Sequence, residues 1–150
     1  MATTSRDTCQ LELKRQFDAS PASVFSAWTT AEALARWFGP TDDYTVIVHQ
    51  LDVREGGTFR VELLHLRGAS HVAYGVYRSV VPNEFLSFTW RWEDQPGLPE
   101  TIVTVEIVDL RPGTELRLRH EGFPSEHDRA QHLAGWSGCT ARLQREFATT

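Results

Sequence analysis

Residues 10–17, QLELKRQF, alternate polar and apolar side chains with period two, which predicts a half-buried strand. The pattern then changes. Ser20-Pro21 offers an N-cap serine with proline at the first helical position, predicting a short helix through Trp28. A second short helix is predicted over 31–37, ended by Gly39-Pro40. From residue 44 to residue 120 the period returns to two: apolar runs at 44–53, 58–66, 71–81, 85–92, 100–110 and 114–120 are separated by the turn signals Glu55-Gly56-Gly57, Arg67-Gly68, Pro82-Asn83-Glu84, the 94–99 loop and Arg111-Pro112-Gly113. Connections this short make neighbouring strands antiparallel, because a parallel pair needs a long crossover. The last predicted element is a helix over about 125–147, opened by Ser125 with Asp128 three residues on, in the manner of a capping box.

At 100° per residue, Leu133, Trp136, Thr140, Leu143 and Phe147 form one stripe of this helix, with His132 and Cys139 on the same side and His127, Gln131 and Gly138 opposite. The helix must lie on the sheet to hide that stripe. The order strand, two short helices, six strands, long helix is an α+β arrangement: a seven-stranded curved antiparallel sheet wrapped around a long C-terminal helix, with two short helices between strands 1 and 2. One domain spanning 1–150, with its core at about 10–147, is the expected organisation.

Alternation also assigns the inward face: Phe59, Val61 and Leu63; Leu86, Phe88, Trp90 and Trp92; Val103, Val105 and Ile107; Leu116, Leu118 and His120. The chain holds five tryptophans in 150 residues, so these rings either fill a thick solid core or floor a hollow between sheet and helix. Gly135 and Gly138, each costing about 1 kcal/mol relative to alanine in a helix, point to a close approach, with one end of the helix pressed on the sheet and the other roofing the hollow.

Composition narrows the function classes. A formal charge of −5 offers no field for a phosphate backbone, so no nucleic-acid role is expected. No apolar run approaches the roughly 20 residues of a membrane-spanning helix, and the polar MATTSRDT start does not resemble a signal peptide, so a cytoplasmic protein without membrane insertion is expected. Cys9 and Cys139 lack metal-ligand or disulfide-framework spacing and are expected to be reduced.

The stretch 119–136, RHEGFPSEHDRAQHLAGW, is the densest in candidate chemistry, and spacing removes most of it. His120-Glu121 starts like a zinc-protease HExxH motif, but Pro124 stands where the second histidine is needed. His127 and His132 lie about 140° apart around a helix, too far to share a ligand. Gly135-Trp136-Ser137-Gly138 has its second glycine one residue early for a nucleophile elbow and sits in a helix. No metal, cofactor or catalytic residue is expected. Asp128, four residues before His132, is placed to orient its imidazole, and Arg129 either guards an entrance and favours an anionic ligand or is simply solvated.

Together the segments 20–28 (SPASVFSAW), 37–40 (WFGP), 52–57 (DVREGG), 75–77 (GVY), 114–123 (TELRLRHEGF) and 132–136 (HLAGW) resemble the SRPBCC superfamily, and within it the bacterial single-domain proteins similar to the C-terminal domain of the activator of heat shock protein 90 ATPase. The resemblance implies a helix-grip fold, as in START lipid-transfer domains and the birch pollen allergen, and relatives that include lipid carriers, polyketide cyclases and plant hormone receptors. The resemblance does not extend to the large additional N-terminal domain of the eukaryotic co-chaperone, so co-chaperone activity of that kind is not the first expectation.

Three functions follow as expectations. The first is binding of a small hydrophobic or aromatic ligand by Trp37, Phe59, Val61, Tyr77, Phe88, Trp90, Val103, Leu118, His120, Phe123, Arg129, His132 and Trp136, with the ligand's polar end near His120, His132 or Arg129. The second is a cyclase or aromatase using His120 or His132 with a tyrosine such as Tyr77. The third is a protein-interaction module, stress-related and acting on a chaperone, in a chain that is a monomer or homodimer.

Overall fold

The computed structural model describes residues 9–148; the polar first eight residues, read above as no signal peptide, lie outside them. Strand β1 (Gln10–Phe17) is followed by helices α1 (Pro21–Thr29) and α2 (Ala31–Trp37). Then come β2 (Tyr44–Leu51), β3 (Thr58–His65), β4 (Ser70–Val81), β5 (Phe85–Trp92), β6 (Thr101–Asp109) and β7 (Thr114–Glu121), and the long helix α3 (Glu126–Ala148). The seven strands form one antiparallel sheet in the order β1-β7-β6-β5-β4-β3-β2. The predicted elements are all present, with ends displaced by one or two residues where terminal hydrogen bonds fray.

Local chemistry sets the helix starts. The Ser20 hydroxyl accepts from the Ser23 N–H at 3.2 Å, with Pro21 at the first helical position. At α3, the Ser125 hydroxyl accepts from the Asp128 N–H at 3.2 Å and donates to the Asp128 carboxylate at 3.1 Å. The carboxylate predicted to orient His132 is thus engaged at the helix cap.

The β4–β5 pairing is irregular. Tyr74 pairs with Arg91 and Tyr77 with Phe88, and a register shift follows between Tyr77 and Ser79. In the irregular stretch the Val76 N–H turns to the Thr89 hydroxyl at 2.9 Å. Only glycine fits at 75, because a Cβ there would stand 1.9 Å from the Thr89 carbonyl oxygen.

The two halves of α3 do different work. Its C-terminal half presses on β1, where Arg15 donates to the Thr140 hydroxyl at 3.0 Å and to the Ser137 carbonyl at 3.1 Å, and Gln144 donates to the Gln16 carbonyl at 2.9 Å. Arg142 ties the same half to the loop after α2 through the Gly39 carbonyl at 2.8 Å. Gly138, predicted on the outer side, instead faces that loop: a Cβ would sit 2.3 Å from the Pro40 carbonyl oxygen. The flank of α3 is covered because the α2–β2 connection folds over it, a long-range placement that periodicity along one helix does not contain.

Candidate functional site

The inward aromatic residues form a continuous packed layer rather than the floor of one large hollow. Trp136 of α3 stacks on Trp28 at 5.8 Å and lies 5.4 Å from Trp90, while Phe59 meets Phe88 at 5.3 Å and Tyr77 at 5.7 Å. Packing of this kind strengthens each ring pair beyond its buried area. Trp37, Val61, Val103 and Leu118 are fully enclosed in it. An apolar cleft opens instead beside the N-terminal half of α3.

There an open cleft of about 310 Å³ is lined on the sheet side by Leu63, His71, Trp90 and Trp92, and on the helix side by Gln131, His132, Gly135, Trp136 and Cys139. Phe38, Pro40 and Tyr44 close the side formed by the α2–β2 connection, and Asp94 and Gln95 stand in the β5–β6 loop. Gly135 presents no side chain, and nothing lies within 4 Å of where its Cβ would be. Of the predicted binding residues, the cleft brings together Trp90, His132 and Trp136. A second, much smaller space gathers Phe59, Val61, Tyr77 and Phe88 with Trp90. Phe123 packs on His120 and His132, with ring centroids at 4.4 and 4.8 Å, and Arg129 turns to Glu126 through two bonds of 2.9 and 3.1 Å.

Sequence reasoning passed over the α2–β2 residues Phe38, Pro40 and Tyr44, and placed Gln131 on the outer face. The WFGP turn was the available signal: a tight stop after a helix must put its aromatic neighbours somewhere, and here it puts Phe38 against Trp136 at 5.7 Å and Trp90 at 6.1 Å.

Behind the cleft, two histidines are held by two indoles. The Trp136 N–H donates to His120 Nδ1 at 3.0 Å. An indole can only donate, so His120 carries its proton on Nε2 and gives it to the Thr101 hydroxyl at 2.7 Å, which in turn donates to the Trp90 carbonyl at 3.2 Å. His132 adopts the opposite tautomer: the Trp92 N–H donates to its Nε2 at 2.9 Å, and its Nδ1–H donates to the Asp128 carbonyl at 2.8 Å. Each ring is neutral with both nitrogens used. Burial holds the His120 pKa well below the usual histidine value, with the nearby His132 adding to the effect, and burial also lowers that of His132.

A pH dependence follows for His120. In the unfolded chain this histidine has its ordinary pKa of about 6.5. Below that pH the unfolded state binds a proton that the folded state does not, so stability is fully present above it and falls as the pH drops. The loss approaches about 1.4 kcal/mol per pH unit for this one group. Urea midpoints measured between about pH 7.5 and 5.5 should decline in the wild type and decline less steeply in His120→Gln. Equal slopes in the two proteins would remove His120 as the cause.

Comparison with known proteins supplies the relationship. The model of the family described as Activator of Hsp90 ATPase homolog 1-like protein matches residues 18–148. The activator of 90 kDa heat shock protein ATPase homolog 1 from Mus musculus is 25% identical over 130 residues, covering 86% of this chain and 34% of the mouse protein, so the chain spans about a third of that relative. A crystal structure of a protein from Chromobacterium violaceum is similar with a TM-score of 0.86 and 29% identity, covering 94% of this chain and 98% of that one. The AHSA1 protein from Silicibacter pomeroyi gives a TM-score of 0.83 at 25% identity, over 93% of this chain and 97% of that one. With its seven-stranded helix-grip architecture and a match across nearly all the described residues, this chain belongs to the Activator of Hsp90 ATPase homolog 1-like family of the SRPBCC superfamily.

Proposed function

We propose that the protein binds a small apolar or aromatic molecule in the cleft beside the N-terminal half of α3. Membership of the family supports a ligand-binding or co-chaperone-like role in general; the observation favouring a small molecule is the cleft itself. Its floor is built from Leu63, Trp90, Trp92 and Trp136, and Gly135 leaves the helix side bare. Water gains little from such a surface, so an apolar ring that displaces it is stabilised by the area it covers. The polar groups at the cleft, Asp94, Gln95 and Gln131, suit the ligand's solvent-facing end.

The geometry gives less support to acid–base catalysis. His120 and His132 each use both ring nitrogens in fixed hydrogen bonds, leaving no lone pair for a substrate. Burial raises the pKa of the Tyr77 phenol well above its ordinary value, which keeps it protonated in neutral solution.

The test uses α-methylstyrene, a neutral aromatic hydrocarbon, titrated into the protein while tryptophan emission is recorded. Binding should shift the emission, because Trp90, Trp92 and Trp136 all border the cleft. Gly135→Leu should weaken binding at least about tenfold by filling the space above the rings, while the helix gains from replacement of glycine. No emission change in the wild type, or equal binding by the variant, would overturn this reading.

A further inference from the structure

The loop that follows β5 carries one acidic side chain to the rim of the cleft. Glu93 donates its N–H to the Val72 carbonyl at 2.9 Å and Gln95 donates to the Trp92 carbonyl at 3.2 Å, so residue 94 is held in a turn against β4. There Asp94 Oδ2 accepts from His71 Nδ1 at 2.9 Å, and both residues line the cleft. A carboxylate only accepts, so Nδ1 carries the proton of that bond. Acids on the surrounding elements are engaged elsewhere. Glu93 is clamped by Arg60 through bonds of 2.7 and 2.9 Å, Asp42 meets Arg142 and Arg145 at 3.2 and 3.1 Å, Glu126 takes Arg129, and Asp128 caps α3. No lysine or arginine pairs with Asp94 among the described residues. None lines the cleft either.

We infer that the cleft selects aromatic cations, molecules whose ring lies among the indoles and whose protonated amine sits at the rim beside Asp94. This rests on the reading that the cleft binds small apolar or aromatic molecules, and it names the charge they carry. Asp94 is the one acid among the lining residues, and no fixed cation offsets it. At the edge of an apolar wall its charge is screened less than in open water, so an ammonium a few ångströms away is attracted and a carboxylate repelled. The rings add to the same preference. Trp90, Trp92 and Trp136 border the cleft, and an indole face attracts a cation lying within about 6 Å of it. The Asp94 side chain is 41% exposed, so an arriving ammonium keeps part of its water and escapes the penalty that a deeply buried pair would impose. Gln95 and Gln131 at the same cleft supply amide oxygens as further acceptors. The arginines that could have favoured an anion are committed: Arg129 to Glu126, and Arg142 to Asp42 and the Gly39 and Arg36 carbonyls.

Three probes of similar size separate the charges: 2-phenylethylamine, 2-phenylethanol and 3-phenylpropionate share a ring and a two-carbon arm, and end in a cation, a neutral hydroxyl and an anion. Tryptophan emission is titrated with each at about pH 8, where an ordinary imidazole is neutral and an alkylamine protonated. The amine should bind about tenfold more tightly than the alcohol, and the propionate most weakly. Raising the ionic strength from about 0.02 to 0.5 M should shrink the advantage of the amine severalfold and leave the alcohol unmoved. Asp94→Asn, which keeps the shape of the side chain and an acceptor for His71, should bring the amine to the affinity of the alcohol while α-methylstyrene binds as it does to the wild type. Equal affinity for amine and alcohol in the wild type would overturn the inference, and so would an amine preference that survives in Asp94→Asn. In both cases binding of α-methylstyrene leaves the cleft reading standing. Failure of all four probes to bind would sink both.

Discussion

His120→Ala should lower the unfolding free energy by about 3–5 kcal/mol, the sum of a cavity in a fully packed site and a stranded indole donor. The side chain is 0% exposed and touches Trp90, Phe123, His132 and Trp136. Removing it leaves the Trp136 N–H without an acceptor, and Thr101 loses the proton it received from Nε2. A domain of this size is stable by only some 5–15 kcal/mol, so the variant should retain a narrow margin in urea denaturation. His132→Ala should cost clearly less, about 1–2 kcal/mol, because that ring borders the open cleft and water can reach the Trp92 indole in its place. If the two losses came out equal, or the order reversed, the Trp136–His120–Thr101 chain would not be what holds α3 to β7 and β6.

The contrast between these two histidines shows what could be read from the chain alone. Alternation put His120 on the inward face of the last strand, and the stripe of α3 put His132 and Trp136 opposite, so their meeting was legible from two independent periods. The six-strand meander was legible too, since every turn carried its own glycine, proline or asparagine signal, but the place of β1 beside β7 was not, because no local pattern records which edge the first strand joins. Which atoms pair was not legible: the two imidazoles adopt opposite tautomers because indoles from different elements, Trp136 on α3 and Trp92 on β5, arrive at different ring nitrogens. Nor was the location of the open space. A count of inward rings cannot distinguish a hollow from a packed layer. That choice is made by the α2–β2 connection, whose Phe38 fills part of the space and whose Pro40 and Tyr44 bound the remainder. Val103 and Leu118, grouped with the binding residues on alternation alone, lie in the packed layer away from the cleft lining.

That connection also makes two glycines three residues apart respond in opposite directions to the same methyl group. Gly138→Ala places a Cβ 2.3 Å from the Pro40 carbonyl oxygen and 3.0 Å from its carbon, distances that no side-chain rotation can relieve because the obstacle is backbone. The helix must move away from the loop or the loop from the helix, and the Arg142 bonds to the Gly39 and Arg36 carbonyls stretch either way. Overpacking of this kind costs about 1–3 kcal/mol, and at a contact so short it should outweigh the roughly 1 kcal/mol that alanine returns to a helix interior. A net loss of up to about 2 kcal/mol is expected, together with weaker ligand binding, because Pro40 and Cys139 belong to the cleft wall. Gly135→Ala meets nothing within 4 Å and should raise stability by up to about 1 kcal/mol. Its methyl group enters the cleft, so a bulky aromatic ligand should bind less tightly despite the more stable fold. Paired urea and binding titrations on the two variants separate the roles: stability should fall at 138 and rise at 135, with affinity reduced at both. A Gly138→Ala protein as stable as the wild type would mean that α3 and the α2–β2 connection are free to part, and that the cleft wall is not held where the Pro40 contact places it.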